Sequence, residues 1–273
     1  MSIWSARRAR ALALLSEAPH AAEILACYAA LTEVQERVAE RLPIPRWVAV
    51  VKERASAGPA ARLERLPLDE MIPLFGDFLH EAQVVGTAVM RAEAARIRDA
   101  DVDERRALLA GALAVRGPMQ AEVPFHARAF VEAIAAPLAS ALALPPEEAE
   151  AGDARRCRAC GDHPVAATLR DLPGALGTRA LVCGRCGTET RIRRLTCAHC
   201  GERAAERLGV HTAESVPHVR VDECRSCRRY IKTVDLRRRG DAVAVVDELA
   251  TVELDLWAHE QGLTKVHPNL FGL

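Results

Sequence analysis

Aromatic residues make up only 4% of this 273-residue chain, and lysine occurs three times, at Lys52, Lys232 and Lys265. With so few rings, the core must be built mainly of Ala, Leu and Val, and little is left for stacking against bases. The formal net charge is zero, which argues against a general nucleic-acid or membrane-surface binder. No apolar run is long enough to span a bilayer, so no membrane insertion is expected. There is no phosphate-binding loop and no His/Glu general base beside a metal motif, so no enzymatic activity is expected. Ser5-Ala6-Arg7-Arg8 faintly resembles an export signal, but Glu17, Pro19 and Glu23 interrupt the apolar stretch after it. An N-terminal helix and a cytoplasmic address are expected instead.

Cysteine is nearly absent outside one stretch. Cys27 lies in an apolar helical pattern and reads as a small buried hydrophobe. The other eight cysteines form four Cys-x-x-Cys pairs: Cys157/Cys160, Cys183/Cys186, Cys197/Cys200 and Cys224/Cys227. Each such turn brings two sulfurs to one point, and two turns make a tetrahedral cage for Zn²⁺ or Fe²⁺. The gaps between successive pairs are 22, 10 and 23 residues. Long, short, long reads as one unit used twice, with Cys157 matching Cys197. Each unit would be a rubredoxin-like or zinc-ribbon module with its knuckles on short β-hairpins. The expected cages are Cys157, Cys160, Cys183, Cys186 and Cys197, Cys200, Cys224, Cys227; interleaved pairing stays open at this level. Disulfides suit small secreted domains, and a dithiol redox site carries one such pair rather than four.

Gly161, Gly187 and Gly201 each follow the second cysteine of a pair, where a knuckle needs positive φ. Arg228 holds that place in the fourth turn. His163 and His199 sit beside cysteines, but both cages are complete without them.

The zero net charge hides an asymmetry. Residues 1–151 carry 17 basic and 21 acidic residues, whereas 152–273 carry 20 and 16. The basic excess lies near the cysteines, at Arg155, Arg156, Arg158, Arg185, Arg191, Arg193, Arg194, Arg225, Arg228 and Arg229. Four thiolates around a divalent ion leave net negative charge, and nearby guanidinium groups offset it.

The pattern predicts an α+β chain. Residues 1–143 read as an irregular helical bundle of six to eight helices. Expected elements include Ala21–Leu42, a short helix at Trp47–Lys52, a long one over Asp69–Ile97, one capped by Asp101 or Asp103, and Phe125–Leu144. Gly58-Pro59, Pro67 and Gly117-Pro118 punctuate them. His80, Glu81, Glu93 and His126 read as solvated helix faces. Residues 144–155, with Pro145-Pro146 and an acidic run, read as a linker. Two metal ribbons follow, at 156–195 and 196–240, with strands at 179–182, 188–195, 218–221 and 230–236. Residues 241–273 read as a C-terminal helix, Asp247–Gln261, and an extended tail. Its apolar face is Leu249, Val252 and Leu256, and Gly262 is the C-cap.

The cysteine array with its flanks resembles the FdhE-type accessory proteins of formate dehydrogenase. The likeness rests on Cys157-Arg-Ala-Cys160-Gly161-Asp-His-Pro164, Cys183-Gly-Arg-Cys186-Gly-Thr188-Glu189, Arg194-Leu-Thr-Cys197-Ala-His-Cys200 and Glu223-Cys224-Arg-Ser-Cys227-Arg-Arg-Tyr230-Ile-Lys232. The closing Asp247–Asp255 segment and Asn269-Leu-Phe271 extend it. The resemblance implies a cytoplasmic, non-catalytic protein that binds the catalytic subunit of a molybdenum-containing formate dehydrogenase before export and assists its maturation. It also implies two rubredoxin-type sites, with iron associated and all eight cysteines as ligands. Two other classes stay open. A nucleic-acid-binding zinc ribbon would use Arg191, Arg193, Arg194 and Arg237–Arg239 on phosphates. A small electron-transfer protein would need an exposed sulfur edge.

Overall fold

Ser2 starts the first helix by accepting a hydrogen bond from Ser5 N at 2.9 Å. The computed structural model describes residues 2–53, 63–114, 123–144 and 156–273. Seven α-helices lie in the described part of the N-terminal region: α1 Ile3–Glu17, α2 Ala22–Glu40, α3 Ile44–Glu53, α4 Leu68–Ala82, α5 Ala88–Asp99, α6 Val102–Leu113 and α7 Phe125–Leu142. The turns at Gly58-Pro59 and Gly117-Pro118, and the linker from Pro145 to Arg155, lie outside the described residues.

The helix expected over Asp69–Ile97 is two helices. Gly86 takes φ +81° between them, and Thr87 caps α5 by accepting from Met90 N. Asp101 caps α6, accepting from Glu104 N at 2.8 Å. α7 is the most deeply covered of the N-terminal helices, and Phe130 packs on Phe75 and Phe78 with ring centroids 5.0 and 5.6 Å apart. Small alanines along α7 let its neighbours approach, which suits a core with few aromatics.

The C-terminal half is a sheet with helices. Its strands are β1 Pro164–Leu172, β2 Ala175–Cys183, β3 Glu189–Ile192, β4 Leu208–Thr212, β5 Val219–Cys224, β6 Arg229–Asp235 and β7 Thr264–Lys265. The order is β3-β2-β1-β6-β5-β4, with β7 on β6. Both halves follow one plan: knuckle, strand, strand, knuckle, strand. The two ribbons are continuous, because β1 and β6 pair in parallel from Ala166↔Lys232 to Leu169↔Asp235. Sequence patterning missed β1, β4 and the two-residue β7. β1 is buried along its first six residues, so it has no in/out alternation to read.

The single C-terminal helix is also two, α8 Ala244–Ala250 and α9 Val252–Glu260. Thr251 breaks the run, and its hydroxyl donates to Asp247 O at 2.9 Å. The break changes the phase of the apolar face: Leu249, Leu254 and Ala258 are buried, while Leu256 is 59% exposed. Gly262 follows at φ +70° as expected for the helix stop. The tail is folded in rather than extended, with His267 and Asn269 buried.

An ion pair and a shared core are among the contacts that tie the N-terminal helices to this half. Arg10 on α1 grips Asp247 on α8 with Nε and Nη2 at 3.0 and 2.6 Å. The first four cysteines share a core with the helical bundle.

Candidate metal centres

Each knuckle is built by backbone bonds that local sequence permits. Gly161, Gly187 and Gly201 donate their N–H to Cys157 O, Cys183 O and Cys197 O at 2.7, 3.1 and 3.2 Å. Closing bonds return from Cys157 N to Asp162 O, Cys183 N to Thr188 O and Cys197 N to Glu202 O, at 2.7, 3.0 and 2.8 Å. All three glycines have φ between +71° and +79°. Arg228 takes the same conformation at φ +56°. Its guanidinium bonds Gln261 O at 2.5 Å, which helps hold a backbone state that a side chain disfavours.

The fold gathers the eight cysteines into two four-sulfur clusters, Cys157/Cys160/Cys183/Cys186 and Cys197/Cys200/Cys224/Cys227, with all sulfurs of a cluster within 4.8 Å of one another. The interleaved alternative is not the arrangement formed. Measured edges are 3.5 Å for Cys157–Cys186, 3.4 Å for Cys160–Cys183, 3.7 Å for Cys197–Cys227 and 3.6 Å for Cys200–Cys224. These are far from the roughly 2.05 Å of a disulfide. A tetrahedron with metal–sulfur bonds of about 2.3 Å has edges of about 3.8 Å, so the donor sets fit Zn²⁺ or Fe²⁺.

The electrostatics agree with that fit. Hydrogen bonds from Cys160, Cys183 and Cys186 pull the Cys157 thiol far below its ordinary range, while burial raises Cys183. Burial likewise pushes Cys197 up to about 11. Four thiolates cannot share one small volume without a cation to offset them. His199 N and Cys200 N point at Cys197 Sγ from 3.3 and 3.4 Å, and Thr188 Oγ1 lies 3.1 Å from Cys186 Sγ.

The clusters differ in surroundings. All four sulfur residues of the first are buried, and Arg185 within its second knuckle reaches Asp162 at 2.8 Å and Leu113 O at 3.3 Å. In the second, Cys200 is exposed and Cys227 half-buried. His163 stacks on His267, with centroids 5.3 Å apart, and belongs to neither cluster.

Other residues singled out from sequence fall differently. Cys27 is half-buried, with its thiol pushed up to about 11 by burial. His126 is not on a solvated face: it is 1% exposed, with Nδ1 2.6 Å from Glu93 Oε2. Glu81 pairs with Arg37 at 2.5 Å. In the basic turn, Arg237 is held by Asp235 and Arg239 by Glu17, both at 2.6 Å. No helix among the described residues is long and apolar enough to cross a membrane. Sequence reading missed a buried charged group of Lys232, Glu248, Asp255 and Lys265; two of only three lysines lying there was the available signal.

Residues 182–271 match the family model described as FdhE, C-terminal domain. The chain is 35% identical over 116 residues to a Protein FdhE homolog of Aquifex aeolicus, covering 42% of this chain and 41% of that protein. A Stutzerimonas stutzeri relative of the same name is 34% identical over 122 residues, covering 44% and 39%. These alignments span about two fifths of those relatives. A Rhizobium meliloti homolog of that name aligns over 259 residues at 26% identity, covering 91% of this chain and 83% of the relative. In fold, the chain is similar to the crystal structure of the FdhE protein from Pseudomonas aeruginosa, with a TM-score of 0.75 at 24% identity, over 98% of this chain and 94% of that one.

Proposed function

Because the chain belongs, through residues 182–271, to the FdhE family, we propose that it is a metal-binding, non-catalytic accessory protein. It binds the catalytic subunit of a molybdenum-containing formate dehydrogenase in the cytoplasm and assists its maturation before export. The eight cysteines are the ligands of two Fe²⁺ or Zn²⁺ ions. Residues 1–143 act as a helical platform, and the ribbons at 156–195 and 196–240 form the docking side.

The observation that carries this reading is the pair of closed four-cysteine clusters. Each uses all four tetrahedral positions for sulfur and leaves none for a substrate, which suits folding and docking better than Lewis-acid chemistry. Metal binding and local folding are coupled in such modules, so loss of a cluster should remove the surface around it.

The test is the affinity of the purified catalytic subunit for wild type and for two double variants, Cys183→Ser/Cys186→Ser and Cys197→Ser/Cys200→Ser. Each is expected to weaken binding at least tenfold. The second variant is decisive, because its cluster lies away from the helical core and helix content should be unchanged. Normal affinity in that variant, with its metal gone, sinks the docking role of the second ribbon.

One-electron transfer is a second reading, favoured by the exposure of Cys200. Iron bound at the second cluster would supply a one-electron couple close to the surface. Voltammetry showing no reversible couple in protein loaded with iron overturns it.

A further inference from the structure

Arg7 on α1 and Arg128 on α7 line one cavity of about 170 Å³, set between the helical bundle, the first pair of knuckles and the C-terminal tail. Glu132, Asp162, Glu248 and His267 line it too. The charges there do not balance. Asp162 is taken by Arg185 at 2.8 Å, and Glu248 by Lys232 at 3.1 Å and by Lys265. That leaves two guanidinium groups and one carboxyl, Glu132. Among the described residues, neither Arg7 nor Arg128 has a carboxylate oxygen within the 4.0 Å that defines an ion pair.

Each arginine is unusually placed for a cation. Arg7 is 2% exposed, and its guanidinium stands 5.0 Å over the Trp4 ring. Arg128 Nε is buried without a hydrogen-bond partner, and so is Nδ1 of His267, a residue 5% exposed. Glu132 does not correct the imbalance, because burial pushes its carboxyl up to about 7. The cavity thus keeps one excess positive charge with Glu132 ionised and two with it neutral. Removing a cation from water without a counter-charge is costly, and cations held this way are ordinarily paired. The cavity is roomy enough for a small polar guest.

We propose that this cavity is a binding site for a small oxyanion, of carboxylate to sulfate size, held by the Arg7 and Arg128 guanidinium groups with His267 Nδ1 beside it. Guanidinium groups bind such oxygens through paired, charge-assisted hydrogen bonds. The guest touches the helices, the first ribbon and the tail at once, so its binding braces their junction. No cysteine lines the cavity, but Asp162 and Arg185 of the first pair of knuckles do, so the metal-loaded chain is the form to test.

The experiment uses the full chain in chloride buffer free of oxyanions, at constant ionic strength. Sodium sulfate and sodium acetate are titrated separately by calorimetry, with thermal melts in parallel. Saturable binding of at least one is expected, with a matching rise in melting temperature. Sulfate alone would mark a tetrahedral guest and acetate alone a planar carboxylate. Arg128→Gln should weaken the binding at least tenfold. No saturable heat from either anion, or equal affinity in Arg128→Gln, overturns the proposal. Should that variant fail to fold, wild-type crystals soaked in selenate decide: an anomalous peak in the cavity supports the site, and its absence at saturating selenate rejects it.

Discussion

Lys232 Nζ lies 2.6 Å from Asp255 Oδ2, in a place where the lysine side chain has no solvent exposure. Its three protons have three acceptors: Asp255 Oδ2, Glu248 O at 2.5 Å and Thr251 O at 3.1 Å. Tyr230 OH donates to Asp255 Oδ1 at 2.7 Å, and Asn269 Nδ2 to Glu248 Oε2 at 2.9 Å. Burial alone would raise the Glu248 carboxyl, but the Lys232 and Lys265 charges outweigh it and hold it down at about 2. A compact ammonium with three divergent donors meets this geometry; a planar guanidinium does not. That accounts for lysine here in a chain that otherwise uses arginine.

Lys232→Met should therefore cost about 3–5 kcal/mol, because it strands buried carboxylates rather than because the pair itself is strongly stabilising. Lys232→Arg keeps the charge but should still lose about 1–3 kcal/mol through overpacking. Urea denaturation of both variants checks this. A Lys232→Arg protein as stable as wild type would show that charge alone suffices.

Glu132 supplies a pH dependence. Its carboxyl is at about 7 in the folded chain against an ordinary 4.5, with burial as the main cause. The folded state favours the protonated form, so this contribution is complete below the unfolded value and is lost as pH rises through about 7. Wild type should lose about 3 kcal/mol relative to Glu132→Gln between pH 4.5 and 8.5. Parallel urea midpoints for the two proteins across that range would contradict it.

Much of the metal region was legible because its requirements are local. Two cysteines three apart, with a following residue at positive φ, define a knuckle within six residues, and Gly161, Gly187 and Gly201 meet that need one by one. What was not legible depends on distant partners. β1 lacks alternation because both of its faces are covered along its first six residues. His126 looked solvated because its partner Glu93 is 33 residues away. The run from Asp69 to Ile97 kept an apolar rhythm across Gly86, yet Val84 in the turn is 76% exposed. Thr251 shifted the apolar face of the last helix, so Leu254 took the buried place expected of Leu256.

The fourth knuckle allows a direct comparison. Gly201 and Arg228 hold equivalent positions, at φ +79° and +56°. Gly201→Ala should cost about 1–2 kcal/mol, the penalty for a Cβ in the left-handed region. Arg228→Gly relieves that same penalty but loses the bond to Gln261 O. Its net effect should stay within about 1 kcal/mol of wild type. Thermal melts of the metal-loaded proteins measure both.

The unequal burial of the two clusters sets an order of metal release. A chelator must displace sulfur ligands one at a time, and it needs a path to the ion. At the second cluster, Cys200 is exposed and Cys227 half-buried, so that path is open from solvent. At the first, every cysteine is buried and shares the core of the helical bundle, so release there requires the bundle and ribbon to part. Metal loss to a strong chelator should therefore occur in two phases of equal amplitude, at least tenfold apart in rate. Cys197→Ser/Cys200→Ser should remove the fast phase and leave the slow one. The helical circular dichroism signal should survive the fast phase and fall only during the slow one. A single phase in the wild-type protein, or a helical signal lost in the fast phase, would mean that the two clusters are one cooperative unit coupled through the parallel β1–β6 pairing.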